Sequence, residues 1–136
     1  MFEPLFLRYP FFRYIPSILC FALIFKFSAM PNDELDFMEG LSDKLLHGLA
    51  YFCTAVACSF WTRLEVFRAK PWFGFLLGFL LATLYGATDE FHQSFVPGRS
   101  CELADFLADA VGAFLGAALY LLVLRLFFWK AKVKGE

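Results

Sequence analysis

The stretch DEFHQSFVPGRSCELADFLADAVGAFLG, residues Asp89–Gly116, places acids, a glutamine and an arginine between two apolar runs. A chain rich in apolar residues has few places for such groups. Polar groups at the ends of membrane segments are therefore candidates for function. A smaller polar cluster of Asp43, Lys44 and His47 opens an earlier apolar run. We expect the two clusters to meet in the folded protein.

The composition indicates that the solvent of this chain is a lipid bilayer. The 136 residues are 60% hydrophobic and include 20 phenylalanines. A soluble domain of this size leaves roughly a third of its unfolded surface exposed, too much for such a sequence. The apolar runs, of about 20 residues, are longer than barrel strands need, and helices satisfy their own backbone in lipid. The sequence predicts an all-α integral membrane protein, with a soluble phenylalanine-rich core as the alternative.

We predict one transmembrane domain over residues 1–136, built as a four-helix bundle. The helices are predicted at about residues 14–30, 43–62, 72–93 and 103–129. Ser42 or Asp43 suits the N-cap of the second helix, Pro71 the first turn of the third, and Pro97-Gly98 a turn before the fourth. The first run is expected to be an uncleaved helix, with a cleaved signal peptide as the alternative.

The distribution of basic residues predicts the orientation. Twelve Lys and Arg are present, and only Lys26, Lys44 and Arg99 fall on the side of the two polar clusters. Positive residues accumulate on the cytoplasmic side, so both termini are predicted to be cytoplasmic, and all three tryptophans fall at that interface. The basic residues do not interleave with aromatic residues in a nucleic-acid-binding pattern, so we expect no nucleic-acid partner. The nine cytoplasmic basic residues are Arg8, Arg13, Arg63, Arg68, Lys70, Arg125, Lys130, Lys132 and Lys134.

Spacings of four residues align polar and small side chains on three predicted helices. Such residues share one face of a helix, and small ones allow close helix packing in membranes. The fourth helix also carries the GxxxG pair Gly112–Gly116. We expect the polar ends of these faces to form one outer-face site. Its candidate binding residues are Asp43, Lys44, His47, Tyr51, Asp89, Glu90, Gln93, Arg99, Asp105 and Asp109, of which His47, Glu90 and Asp109 are candidate catalytic groups.

Three functional hypotheses fit this cluster. Its carboxylates and His47 could bind a divalent cation, with Mg²⁺, Mn²⁺ or Ca²⁺ suited better than structural zinc. His47, paired with an acid, could perform acid–base chemistry on a lipid headgroup. Lys44 and Arg99 could hold a phosphate without any reaction. The sequence does not decide whether the protein is an enzyme, because it contains no phosphate-binding loop and no nucleophile elbow.

The arrangement within the site can also be predicted. Unpaired charges at the membrane boundary are costly, so we expect Glu90, Arg99 and Asp109 to form a paired network with the Asp43–His47 end. In this network Glu90 is the expected partner of Arg99 or Lys44. His92 is expected to be exposed, since it points away from Glu90 on the helix. Asp43 has the alternative role of a helix cap alone.

The two polar motifs also resemble those of a known family. DKLLHGLAYF at residues 43–52 is similar to the first signature of the VanZ-like membrane family. DEFHQSFVPGR at residues 89–99, followed by DFLADAVG at 105–112, resembles the second, with Asp109 where the family more often has Asn. The resemblance covers about residues 40–120.

The resemblance implies a multi-pass protein of the bacterial cytoplasmic (inner) membrane that acts at the cell envelope. The family is named for a protein that raises resistance to teicoplanin, a lipid-bearing glycopeptide. The expected partner is a membrane lipid or a lipid-linked envelope precursor. A hydrolase or transferase acting on a lipid headgroup, a non-catalytic scaffold and a small transporter remain alternatives.

Overall fold

The computed structural model describes residues 10–31 and 42–133, with side chains to residue 127. Arg8, Lys134 and most of the acidic loop after the first helix lie outside these ranges. The described residues form helices and connecting turns, without a strand. A 3₁₀ turn at Pro10–Tyr14 leads into the first helix. The helices are α1 (Ile15–Ser28), α2 (Asp43–Ser59), α3 (Leu64–Ala69), α4 (Trp72–Gln93) and α5 (Leu103–Val133).

Within the described ranges, three helical segments are long and apolar enough to cross a membrane: Pro10–Ser28, Trp72–Gln93 and Leu103–Phe127. α2 has 17 residues, which corresponds to about 26 Å, slightly less than a hydrocarbon core of about 30 Å. The second predicted helix extended to residue 62, but α2 ends at Ser59 because the backbone N–H of Thr62 turns back to the Ser59 carbonyl at 3.1 Å. The all-helical membrane class is supported, whereas four spans and cytoplasmic termini stay predictions.

The helix α3 was not predicted, since its six residues fall within the expected basic loop. Phe67 explains why this segment folds against the other helices. Its side chain is 3% exposed and its ring meets Tyr120 of α5 edge-on, with centroids 6.1 Å apart. One helical turn and a half is too short to show a helical period in the sequence. Burial of a single aromatic side chain therefore anchors the segment.

Close packing between α2 and α5 depends on the predicted GxxxG pair. A Cβ atom at Gly112 would collide with the backbone carbonyl of Gly48, and one at Gly116 with that of Phe52. Small residues also line α4, where Gly78 lies directly against Ala55 and Ser59 of α2. In this structure the GxxxG face is covered by α2 of the same chain. The buried centre of the helices consists of Tyr51, Ala55, Ala82, Ala113 and Ala117.

Polar contacts join α1 to α4 and to the turn that follows α2. The Trp61 indole N–H donates to the Ser17 hydroxyl at 2.8 Å, and the Tyr85 hydroxyl donates to the Phe21 carbonyl at 2.9 Å. The predicted exposure of His92 is wrong. Its Nδ1 lies 3.2 Å from the Ser28 hydroxyl and its ring stacks on Phe25, with centroids 5.0 Å apart. His92 is therefore a contact between α1 and α4.

Candidate functional site

The polar ends of α2, α4 and α5 come together at one end of the helices. Asp109 is fully buried, and Glu90 is 3% exposed. Asp43 and Lys44 lie at the exposed rim. Helical spacing explains this placement, because Asp43, His47 and Tyr51 share one face of α2, and Asp105 and Asp109 share one face of α5. The buried polar residues of the cluster are His47, Asp89, Glu90, Gln93, Asp105 and Asp109.

His47 lies at the centre of the cluster and faces carboxylates from three helices. Its Nδ1 is 2.9 Å from Oδ1 of Asp109 and 3.8 Å from Oε1 of Glu90. Its Nε2 is 4.0 Å from Oδ1 of Asp43, one turn earlier on α2. Both ring nitrogens are thus directed at acidic oxygens, which holds the imidazole in a defined orientation.

Lys44 connects the start of α2 to the start of α5. Its ammonium donates to Oε2 of Glu102 at 3.0 Å and also bonds Oδ1 of Asp105. The hydrogen bonds from Lys44 and from the Ser100 hydroxyl hold the pKa of Glu102 below its ordinary value. Glu102 was not among the predicted site residues. Its position directly before an apolar helix was the available signal, since acids are favoured at helix N-termini.

Glu90 forms neither of its expected ion pairs, since Lys44 pairs with Glu102 and Asp105 and Arg99 also lies outside ion-pair distance. Arg99 donates through Nη2 to Oε1 of Gln93 at 2.8 Å, and no acid of the described residues lies within ion-pair distance of its guanidinium. Oε2 of Glu90 instead accepts the backbone N–H of Glu102 at 3.1 Å. The turn at Pro97-Gly98, with Gly98 at φ 75°, sets this direction. Glu90 thus caps the entry to α5, and Arg99 is directed elsewhere.

Three buried polar atoms of the site have no hydrogen-bond partner within the described residues. They are Oε1 of Glu90, Oδ2 of Asp109 and the hydroxyl of Tyr51. The Tyr51 hydroxyl lies near the carboxylate of Asp89 but outside hydrogen-bond geometry. Buried polar groups are nearly always hydrogen-bonded, so three such atoms in one small region call for an explanation.

A cavity of about 710 Å³ opens between α1 and α2 and reaches the cluster. Its wall on α1 is mainly apolar and includes Leu23, Ile24 and Phe27. Its other end is polar and includes His47 and Arg99. Asp43, Asp89, Gln93 and Asp105 also line it, whereas Glu90 and Asp109 lie behind this polar wall. The cavity therefore changes from apolar to charged along its length.

Apolar helices that converge on a buried histidine–carboxylate cluster define a helical membrane protein with a polar site at one end. The chain belongs to the VanZ-like family, because the family model described as VanZ/LLP1 matches residues 11–125. This match confirms the resemblance found in the two sequence motifs and extends it to α1 and most of α5. No curated protein and no solved structure matches the chain.

Proposed function

We propose that this chain is a protein of the bacterial inner membrane whose outer-leaflet site binds a phosphate-bearing lipid or lipid-linked envelope component. The cavity between α1 and α2 carries the proposal, since its lining passes from apolar side chains to a charged end. Ligand sites combine an apolar wall with a few polar groups that orient the ligand. A lipid offers the same two parts, a hydrocarbon chain and a polar headgroup.

Arg99 is the proposed phosphate contact. The guanidinium lines the cavity and gives one hydrogen bond to Gln93. An arginine has five N–H donors in a planar fork that matches phosphate oxygens, so donors remain for a ligand. The carboxylates of Asp43 and Glu102, at the same end of the cavity, suit donor groups such as sugar hydroxyls. This combination favours a headgroup that carries both phosphate and hydroxyl groups.

Native mass spectrometry of the detergent-purified protein tests the proposal, with a polyprenyl phosphate and phosphatidylglycerol as probes. We expect the Arg99→Ala variant to bind at least one probe about tenfold or more weakly, since a charge-assisted contact is worth about 1.5–3 kcal/mol. Arg63→Ala removes an exposed arginine that does not line the cavity, and it should bind as the wild type does. Ala50→Phe fills the cavity wall and should also reduce binding. Unchanged binding in both cavity variants would refute the site.

The contact between His47 and Asp109 favours a second candidate function, a membrane hydrolase or transferase acting on the lipid headgroup. An acid 2.9 Å from a ring nitrogen orients an imidazole that takes a proton from an attacking water or hydroxyl group. His47→Gln should then abolish headgroup release while leaving lipid binding in place. If the wild type binds lipid without any turnover, the protein is a binding protein and this candidate is discarded.

The other roles have weaker support. A small transporter needs a polar path to the opposite face. Beyond Tyr51, the buried residues in the described part of the chain carry no charge, and the hydroxyls of Thr54 and Ser59 are bonded to carbonyls of α2. A scaffold role would leave the amphipathic cavity without a function. A role in resistance to teicoplanin is compatible with the proposed lipid site. That glycopeptide also combines a lipid chain with sugars, so it has the same apolar and polar parts as the proposed ligand.

A further inference from the structure

We infer that His47, Glu90 and Asp109 bind a divalent cation where α2, α4 and α5 meet. One ligand atom from each residue lies within 4.8 Å of the other two. The Nδ1 atom of His47 is 2.9 Å from Oδ1 of Asp109 and 3.8 Å from Oε1 of Glu90. Ligands about 2.1 Å from one ion lie roughly 2.9–3.4 Å apart in octahedral or tetrahedral geometry. The two distances from His47 are therefore already close to the spacing that a bound ion requires.

The unpartnered oxygens point independently to a ligand. Oε1 of Glu90 and Oδ2 of Asp109 are buried without a hydrogen bond, and their side chains are 4% and 0% exposed. Oε1 of Glu90 is also the oxygen that faces His47. The hydroxyl of Tyr51 is likewise unpartnered, and its ring and Asp109 both flank Gly86. A cation would bind the unpartnered carboxylate oxygens. It would also compensate their negative charge, which the hydrogen bonds within the cluster do not.

The charge of the whole cluster leads to the same conclusion. The described residues of the site include six carboxylates but only two permanent cations, Lys44 and Arg99. Several like charges in a partly desolvated site raise the free energy unless protons or a cation balance them. Lys44 is engaged at the rim with Glu102 and Asp105, and Arg99 bonds Gln93. The six carboxylates are Asp43, Asp89, Glu90, Glu102, Asp105 and Asp109.

A second possible ligand set, Asp43, His47 and Asp105, is less suitable. The ammonium of Lys44 bonds Asp105 and lies 4.0 Å from Asp43, so a metal ion there would face a fixed positive charge. Asp43 instead suits the role of a carboxylate that orients the metal-binding histidine without contacting the ion. Metal-binding histidines usually direct their other ring nitrogen to a carboxylate, and Nε2 of His47 faces Asp43 at 4.0 Å.

One imidazole with two carboxylates favours Mn²⁺ among the abundant cations. Carboxylate oxygens suit Mg²⁺, Ca²⁺ and Mn²⁺, and the imidazole nitrogen shifts preference toward the transition metals. Cation binding stands apart from the proposed lipid function, since two of its three ligands, Glu90 and Asp109, lie behind the cavity wall. It can therefore be measured without any lipid ligand.

The test uses Mn²⁺ with the whole detergent-purified chain and no added lipid. Titration calorimetry should show one Mn²⁺ per chain, and pulsed electron paramagnetic resonance should show coupling to an imidazole nitrogen. We expect Glu90→Gln and Asp109→Asn each to weaken binding at least tenfold, and His47→Gln to remove the nitrogen signal. Asp89→Asn removes a buried charge of the cluster but no ligand, and should weaken binding by less than either.

The outcomes separate the alternatives. If Mn²⁺ does not bind the wild type at millimolar concentration, or binds without nitrogen coupling, the inference is overturned and the cluster is a hydrogen-bonded His47–Asp109 pair only. Equal losses in Asp89→Asn and Glu90→Gln would also overturn it, because they indicate diffuse attraction. The wild-type measurements decide the question even if a variant fails to fold. If the wild type binds Mn²⁺ but neither lipid probe, only the proposed lipid-binding function is refuted.

Discussion

His47 on α2 and Asp109 on α5 lie 2.9 Å apart through Nδ1 and Oδ1, although 62 residues separate them in the chain. His47 is 9% exposed and Asp109 is fully buried. The contact joins the two sequence motifs of the family at a single point. It also lies between the close helix contact at Gly48 and Gly112 and the polar rim. The stability of the α2–α5 interface and the chemistry of the site therefore depend on the same pair.

A double-mutant cycle on His47 and Asp109 measures this dependence. We expect a coupling of about 1–3 kcal/mol in the free energy of unfolding, because each single alanine variant leaves the other buried polar group without its partner. Reversible unfolding in detergent, followed by helical circular dichroism, provides the measurement. A cycle on His47 and the distant, exposed Glu65 is the control and should be additive within about 0.5 kcal/mol. Additivity in both cycles would show that His47 and Asp109 do not interact.

The two facing glycines of α2 and α5 should respond in opposite ways to alanine. A Cβ at Gly112 collides with the backbone of Gly48, so Gly112→Ala should destabilise the protein by about 1–3 kcal/mol. A Cβ at Gly48 would meet only the carbonyl oxygen of Ala108 at 3.6 Å, an ordinary contact. Gly48→Ala should therefore be neutral or stabilise the helix by up to about 1 kcal/mol. Unfolding free energies in the same detergent give the comparison, and equal losses would contradict the packing described.

The ion pair at the rim predicts a dependence of stability on pH. Lys44 and Ser100 hold the pKa of Glu102 below its ordinary value of 4.5. A group with a depressed folded-state pKa stabilises the fold above its unfolded pKa and loses this contribution as the pH falls through the folded value. The stability advantage of the wild type over Glu102→Gln should therefore be present at pH 7 and shrink below about pH 4.5.

Lys44→Met is the matched control for this pH dependence. It removes the cation that lowers the pKa of Glu102, so the Glu102→Gln substitution made on that background should change the pH profile much less. Unfolding curves between pH 3 and pH 7 for the four proteins would show this. An advantage that grows as the pH falls would contradict the ion pair.

The meeting of the two polar clusters could be predicted because helical geometry determines it. Asp43 and His47 on one helix, and Asp105 and Asp109 on another, are each four residues apart, and the small residues show which faces approach. The GxxxG pair supplied the same information for α5. These signals depend only on the helical period and on side-chain size, both of which are read directly from the sequence.

The partners of individual charges could not be predicted in the same way. Arg99 lies in a loop, and its direction depends on the turn at Gly98 and on how α5 begins, which a helical period does not describe. The same loop places the backbone N–H of Glu102 against the carboxylate of Glu90. Arg99 therefore donates its hydrogen bond to Gln93 instead of Glu90. The predicted exposure of His92 is wrong because α1 covers that side of α4. The sequence of α1 has no periodic polar residues that would indicate this contact. The site's role in binding remains a prediction.

The orientation of the protein in the membrane is a separate prediction. Cys101 is an exposed thiol in the loop between α4 and α5, on the same side as the polar cluster. If both termini are cytoplasmic, this loop faces the outside of the inner membrane. We expect a membrane-impermeant thiol reagent to label Cys101 in intact spheroplasts, whereas Cys58, buried between helices, should not react. Labelling of the wild type minus that of Cys101→Ser isolates the signal of this residue.

A thiol placed on the opposite side completes the orientation test. Lys70→Cys, made in the Cys101→Ser background, lies in the exposed connection between α3 and α4 and should be labelled only after the membrane is permeabilised. A reporter enzyme fused within residues 63–71 should likewise show cytoplasmic activity. The physical reason is the preference of basic residues for the cytoplasmic side, because this segment contains Arg63, Arg68 and Lys70. Labelling of residue 70 in intact spheroplasts would reverse the orientation and place the polar site toward the cytoplasm.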